Sequence, residues 1–129
     1  MKAGIPSRRA ALGRRAHADG VDAEALACAA LELDGWTIHD RRIRTPAGEV
    51  DAVAERDGLL AFIEVKRRPS LADAAWALSK RQQTRLLAAA EILLAEHPGW
   101  GVNGVRFDVL LVDDAGQVRR IADAFRRED

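Results

Sequence analysis

A single cysteine, Cys28, leaves the chain without an internal disulfide. That excludes a small secreted scaffold stapled by disulfides and suits a reducing compartment. No apolar stretch approaches the roughly eighteen residues that a membrane-spanning helix needs. The basic N-terminus also lacks the long apolar segment of a secretory signal. The expectation is a cytoplasmic protein with no membrane partner. Net charge is absent too: Lys+Arg and Asp+Glu stand at 20 each, so the balance argues neither for nor against nucleic acid. His17, His39 and His97 are far apart in the chain and show no metal-ligand spacing. Each is expected to be a surface or capping residue. No glycine-rich phosphate loop and no internal repeat is present.

What remains is a chain of 129 residues with 48% apolar side chains, enough for one domain with a core. Residues 1–19 read as a basic arm and residues 20–129 as a single domain. Basic residues bunch as Arg8-Arg9, Arg14-Arg15, Arg41-Arg42 with Arg44, Lys66-Arg67-Arg68, Lys80-Arg81, Arg119-Arg120 and Arg126-Arg127. Such clusters are either phosphate footprints or solvated surface. Cys28 lies in an apolar run from Ala25 to Leu31 and reads as a small core residue.

Helical periodicity starts at Asp22 and ends near Gly35, a suitable C-terminal cap. Glu24, Ala27, Cys28 and Leu31 share one face by the i, i+3, i+4, i+7 rule, which turns Glu24 inward. Three strand-like segments follow: Trp36 to Arg44, Glu49 to Glu55 and Leu59 to Arg67. A second helix is expected from Ser79 to Glu96, with Leu86, Leu87, Ala90, Leu93 and Leu94 as its buried stripe. Val105 to Asp113 and Gln117 to Ile121 read as two more strands. This order predicts an α/β fold, a mixed central sheet flanked by helices.

Asp57-Gly58 is a strong two-residue hairpin signal. Counting back from it sets Asp51 across from Glu64 and Glu49 across from Lys66. The period of two puts these four on one face, with Val50, Ala52, Ala54, Ala61, Ile63 and Val65 on the other. Two carboxylates facing across a strand pair repel. Either one takes up a proton or a cation neutralises them. Mg²⁺, with its preference for hard oxygen ligands, fits the second option; Lys66 then serves to stabilise charge or to deprotonate a bound water. The residues leave a second reading open, in which Glu49 and Lys66 form an ordinary ion pair on a solvated sheet face.

Gly48-Glu49-Val50-Asp51 followed by Phe62-Ile63-Glu64-Val65-Lys66-Arg67-Arg68 resembles the central signature of the YraN-like family. These are small bacterial proteins of the PD-(D/E)XK, or restriction-endonuclease-like, superfamily. Gly20 and Glu24, Gly35-Trp36, Arg44, Arg81-Gln82, Arg106-Phe107-Asp108-Val109 and Ala124-Phe125 match other parts of the family pattern in order. Two positions depart from it: Arg81 stands where a lysine is common, and Val50 and Ala52 replace bulkier neighbours of the first acid.

The resemblance implies a restriction-endonuclease-like fold, similar to that of Holliday-junction resolvases. It also implies phosphodiester hydrolysis of DNA, including branched or structured DNA, by water activated on Mg²⁺ or Mn²⁺. Asp51 and Glu64 would be the metal carboxylates, the Val65 carbonyl a further ligand, Lys66 the catalytic lysine and Glu24 the helical acid. Arg41, Arg42, Arg44, Arg67, Arg68, Lys80 and Arg81 are the candidates for phosphate contacts. A homodimer is compatible with this class, although no dimer surface is visible in the sequence. The alternative function is a non-catalytic nucleic-acid-binding module that keeps the nuclease fold. Trp76 and Trp100 read as packing residues, with stacking on unpaired bases as the other option. Arg106 and Asp108 are either a structural pair or part of a substrate groove.

Overall fold

The computed structural model describes residues 19–72 and 77–126. The basic arm ahead of Asp19, Trp76 and Arg127 lie outside the described residues. The elements run α1 (Asp19–Leu33), β1 (Thr37–Thr45), β2 (Gly48–Arg56), β3 (Leu59–Arg67), α2 (Lys80–Glu96), β4 (Gly104–Val112) and β5 (Val118–Phe125). Among the described residues no helix is long and apolar enough to cross a membrane.

Local chemistry explains the boundaries. At the end of α1 the Trp36 amide donates to Leu31 O and the Gly35 amide to Glu32 O, both at 3.0 Å. With Gly35 at φ +87°, this is a Schellman cap, and the buried Trp36 and Leu31 supply its apolar contact. α2 opens on a capping box. Ser79 Oγ accepts the Gln82 amide at 3.1 Å, and Gln82 Oε1 accepts the Ser79 amide at 2.9 Å. Asp57 and Gly58 both sit at positive φ, 54° and 80°, as a hairpin turn that follows the twist of its strands requires.

The five strands form one sheet in the order β1-β2-β3-β4-β5. β3 and β4 are parallel and the other pairs antiparallel. The one parallel pair needs a crossover connection, and α2 lies within it. The expected mixed sheet between helices is therefore present.

Each face has its own core. α1 packs Ala23, Ala27, Cys28 and Leu31 against Ala52, Ala54, Ala61, Ile63 and Leu110. α2 packs Leu86, Ala89, Ala90 and Leu93 against Val53, Leu60, Phe62, Val109 and Leu111. The sheet face considered for the acids is not solvated throughout, because α2 packs on its Val53, Leu60 and Phe62. Cys28 is buried, and that burial pushes its thiol above the ordinary value, as suits a packing residue.

Two arrangements account for polar groups left open by the sequence. Arg106 grips the buried Asp108 through two bonds of 2.9 and 3.0 Å, and the Asp123 amide donates to Asp108 Oδ1 at 2.9 Å. This is a structural pair. The guanidinium groups of Arg56, Arg106 and Arg120 surround the Trp36 ring at 5.0, 5.3 and 5.5 Å, which ties them to α1's cap rather than to a ligand.

Candidate functional site

The β2–β3 ladder follows the register counted from the turn, from Arg56↔Leu59 through Val53↔Phe62 to Ala52↔Ile63. There it stops. Beyond that pair β2 stays paired with β1 as far as Thr45↔Gly48, while β3 stays paired with β4 as far as Arg67↔Val112. The two central strands therefore part as a fork, and the expected direct pairs Asp51↔Glu64 and Glu49↔Lys66 do not form. Glu49 instead lies across from Arg44, at 3.8 Å.

The same departure corrects the face assigned to Val50. It does not join Ala52 and Ala54 on the α1 side but packs in the α2-side core, together with its partner Ile43. β1 changes its alternation just there, with Arg42 at φ +52°, a left-handed conformation uncommon in a residue with a side chain.

A fork strands backbone donors, and Asp51 answers one of them. Its Oδ2 accepts the Val65 amide at 2.7 Å, replacing a ladder bond and fixing the carboxylate. Asp51 and Glu64 are both half-buried at the fork. Burial first, then the charges of Glu24 and Glu49, hold Asp51 above the usual carboxylate range, against the bond from Val65 and the charge of Arg85. Glu64 is pushed up to about 7, first by burial and then by Asp51, with Lys66 and Arg85 opposing. Glu24 completes the group from α1, with Oε1 accepting Arg42 Nε–H at 2.6 Å. The charges of Glu24, Asp51 and Lys66 all act on Glu64, although the pairs expected from the hairpin count are not what brings them near.

The donor chemistry suits a hard cation. Two carboxylates and the adjacent Val65 carbonyl offer only oxygen, and Mg²⁺ commonly takes one or two carboxylates and fills its shell with water and phosphate oxygens. Among the described residues no three His, Cys, Asp or Glu side chains form a ready cage.

The basic candidates stand on β1, at the end of β3 and at the start of α2. Arg41, Arg42 and Arg44 are exposed along β1, where Arg42 and Arg44 engage Glu24 and Glu49. Arg67 lies 3.9 Å from Asp114 in the β4–β5 turn, and the Arg68 amide donates to Val112 O. Lys80 and Arg81 are exposed at the start of α2. Trp100 stacks with the rings of His39 and His97, at 4.9 and 3.8 Å, and packs against the α2-side core. That is the packing role expected of it.

Sequence reasoning missed Arg85. It follows Arg81 by one helical turn, and only the rotation of α2 on the sheet reveals that it reaches the fork. Its aliphatic stem runs over Gly48, where a Cβ would lie 2.6 Å from Arg85 Cδ. Gly48 also has φ +142°. Gly48→Ala is expected to cost about 1–2 kcal/mol, from backbone strain and the collision together. Urea denaturation measures it, and an unchanged midpoint would mean that the turn yields freely.

A family model described as "Uncharacterised protein family UPF0102" matches residues 23–112. A UPF0102 protein of Granulibacter bethesdensis is 60% identical over 117 residues, covering 91% of this chain and 74% of that protein. One of Azorhizobium caulinodans is 47% identical over 123 residues, 95% of this chain and 92% of its own length. One of Acidiphilium cryptum is 46% identical over 123 residues, 95% and 94% of the two chains.

Proposed function

The chain belongs to the UPF0102 family, and from the fork that this chain builds we propose a metal-dependent endonuclease of the PD-(D/E)XK class. Its reaction is hydrolysis of DNA phosphodiester bonds, with branched or otherwise structured DNA as the substrate class. One observation carries the reading. Where β2 and β3 part, the Val65 amide fixes the half-buried Asp51 carboxylate at 2.7 Å, its charge disfavours that of the half-buried Glu64 while Lys66 opposes this, and a divalent cation would relieve the conflict.

Asp51, Glu64 and the Val65 carbonyl would hold Mg²⁺ or Mn²⁺, which would supply Lewis acidity and acidify a water. The chain's own groups do the rest. The Val65 amide keeps the Asp51 carboxylate from rotating. Lys66, near enough to lower Glu64, offers positive charge where the pentavalent phosphorus gathers negative charge. Glu24, held by Arg42 at the edge of the fork, is the third acid. Arg41, Arg42, Arg44, Arg67, Arg68, Lys80 and Arg81 supply sequence-independent phosphate attraction from several sides.

The test is cleavage of four-way-junction, duplex and single-stranded DNA with Mg²⁺ or Mn²⁺, by wild type and by Asp51→Asn. Metal-dependent cleavage that disappears in the variant while DNA binding persists is the expected result. DNA binding without cleavage of any substrate would leave a binding module in place of the enzyme.

A further inference from the structure

Several arginines of the sheet already have partners. Arg42 holds Glu24 at 2.6 Å and Arg44 approaches Glu49 at 3.8 Å. Arg56 and Arg120 contact Asp34 at 3.2 and 3.4 Å and, like Arg106, lie over Trp36. Arg85 differs. It is exposed, and among the described residues it makes no hydrogen bond or salt bridge. Yet its charge reaches both Asp51 and Glu64. It stands close enough to act on the acids without being closed into an ion pair with either.

The backbone around it is shaped to let it through. Arg85 Cγ and Cδ occupy the space of a Cβ on Gly48, at 2.7 and 2.6 Å from where that atom would be, and Nε lies 3.3 Å away. The stem is therefore laid across the start of β2, at the open end of the fork, and any larger residue at 48 would displace it. A guanidinium so placed presents planar donors beside an acidic pair, the arrangement that grips a phosphate next to a cation site.

We propose that Arg85, carried over Gly48 from α2, contacts the DNA phosphate that enters the fork beside Asp51 and Glu64, and so positions the substrate for the reaction proposed above. The inference rests on that nuclease reading for its meaning, but not for its test. Since the side chain is exposed and makes no hydrogen bond or salt bridge among the described residues, Arg85→Gln is expected to keep the wild-type fold, which far-UV circular dichroism checks.

The experiment measures affinity for a four-way DNA junction in EDTA across a series of salt concentrations, for wild type, Arg85→Gln and Arg85→Lys, with Mn²⁺ calorimetry on each protein. Loss of one phosphate contact lowers the slope of log K against log salt by about 0.9. Arg85→Gln should show that drop and bind roughly ten-fold more weakly at low salt. Arg85→Lys should recover the slope but only part of the affinity, since it keeps the charge without the planar donors. Mn²⁺ binding should be no weaker in Arg85→Gln than in wild type.

An unchanged slope and affinity, with Mn²⁺ still bound by wild type, would overturn the role of Arg85 and leave the nuclease reading standing. A lowered slope in a protein that binds no Mn²⁺ would uphold the phosphate contact and remove the nuclease reading instead.

Discussion

Glu64→Gln is expected to be more stable than the wild-type chain at pH 8 in EDTA, and to have lost metal-dependent cleavage. The Glu64 carboxyl is raised from an ordinary 4.5 to about 7. Between those values the folded chain holds a proton that the unfolded chain has released, so stability falls as pH rises through that window and levels off above it. The loss is on the order of 2–3 kcal/mol. Asp51 is raised as well and acts in the same direction from its lower starting value. Glu55, bonded to His39, and Asp123, bonded to Arg126, are lowered. They stabilise above the ordinary carboxylate range and lose that contribution as pH falls. Wild-type stability should therefore peak at about pH 5.

Glutamine keeps the shape of Glu64 without the charge, so most of the decline above that peak should vanish in the variant. Urea denaturation from pH 4 to pH 9 measures both curves. Parallel curves for the two proteins would mean that Glu64 titrates as an ordinary exposed acid. Stability gained by removing that charge would be the usual trade between function and folding if Glu64 serves the proposed reaction.

Asp108→Ala is expected to have the opposite effect and to lower stability by about 3–5 kcal/mol. Asp108 is buried and accepts two bonds from Arg106 and one from the Asp123 amide. Its removal leaves a partly buried guanidinium and a backbone donor without their acceptor. Asp108→Asn, which keeps one acceptor oxygen, should lose less. A groove role for the pair would show the reverse pattern, with DNA affinity falling and the unfolding midpoint unmoved.

The parts of the fold written in local chemistry were legible. Asp57-Gly58 announced its turn because two consecutive positive φ values demand such residues, and the register followed by counting as far as Ala52↔Ile63. The cap at Gly35 was visible for the same reason, whereas Ser79, read as the start of α2, proved to be its N-cap. α2's stripe was partly right: Leu86, Ala90 and Leu93 are buried as expected, while Ala89 is buried and Leu87 and Leu94 are only half so. A helix wheel cannot tell which of two neighbouring lines will meet the sheet.

The fork was not legible, because nothing local marks where two strands part. Each strand keeps its ladder with its outer neighbour, β1 or β4, and the alternation of apolar residues gives no warning. Val50 was assigned to the wrong face on that account, and the Asp51–Val65 bond was invisible. β5 was read as ending at Ile121 but runs to Phe125, since Asp123 looks like a breaker until its amide is seen bonding to Asp108. Glu24, Asp51, Glu64 and Lys66 could be singled out without the pairing, because residue type and spacing alone nominate them; their role belongs to the function proposed above. Arg85 needed the third dimension.

Calorimetric titration of Mn²⁺ and Mg²⁺ into the wild-type chain and into Asp51→Ala/Glu64→Ala tests the metal site most directly. Binding by the wild type that is absent from the double variant is the predicted result. No binding by the wild type, with junction DNA present or absent, would contradict the metal site and with it the proposed hydrolysis.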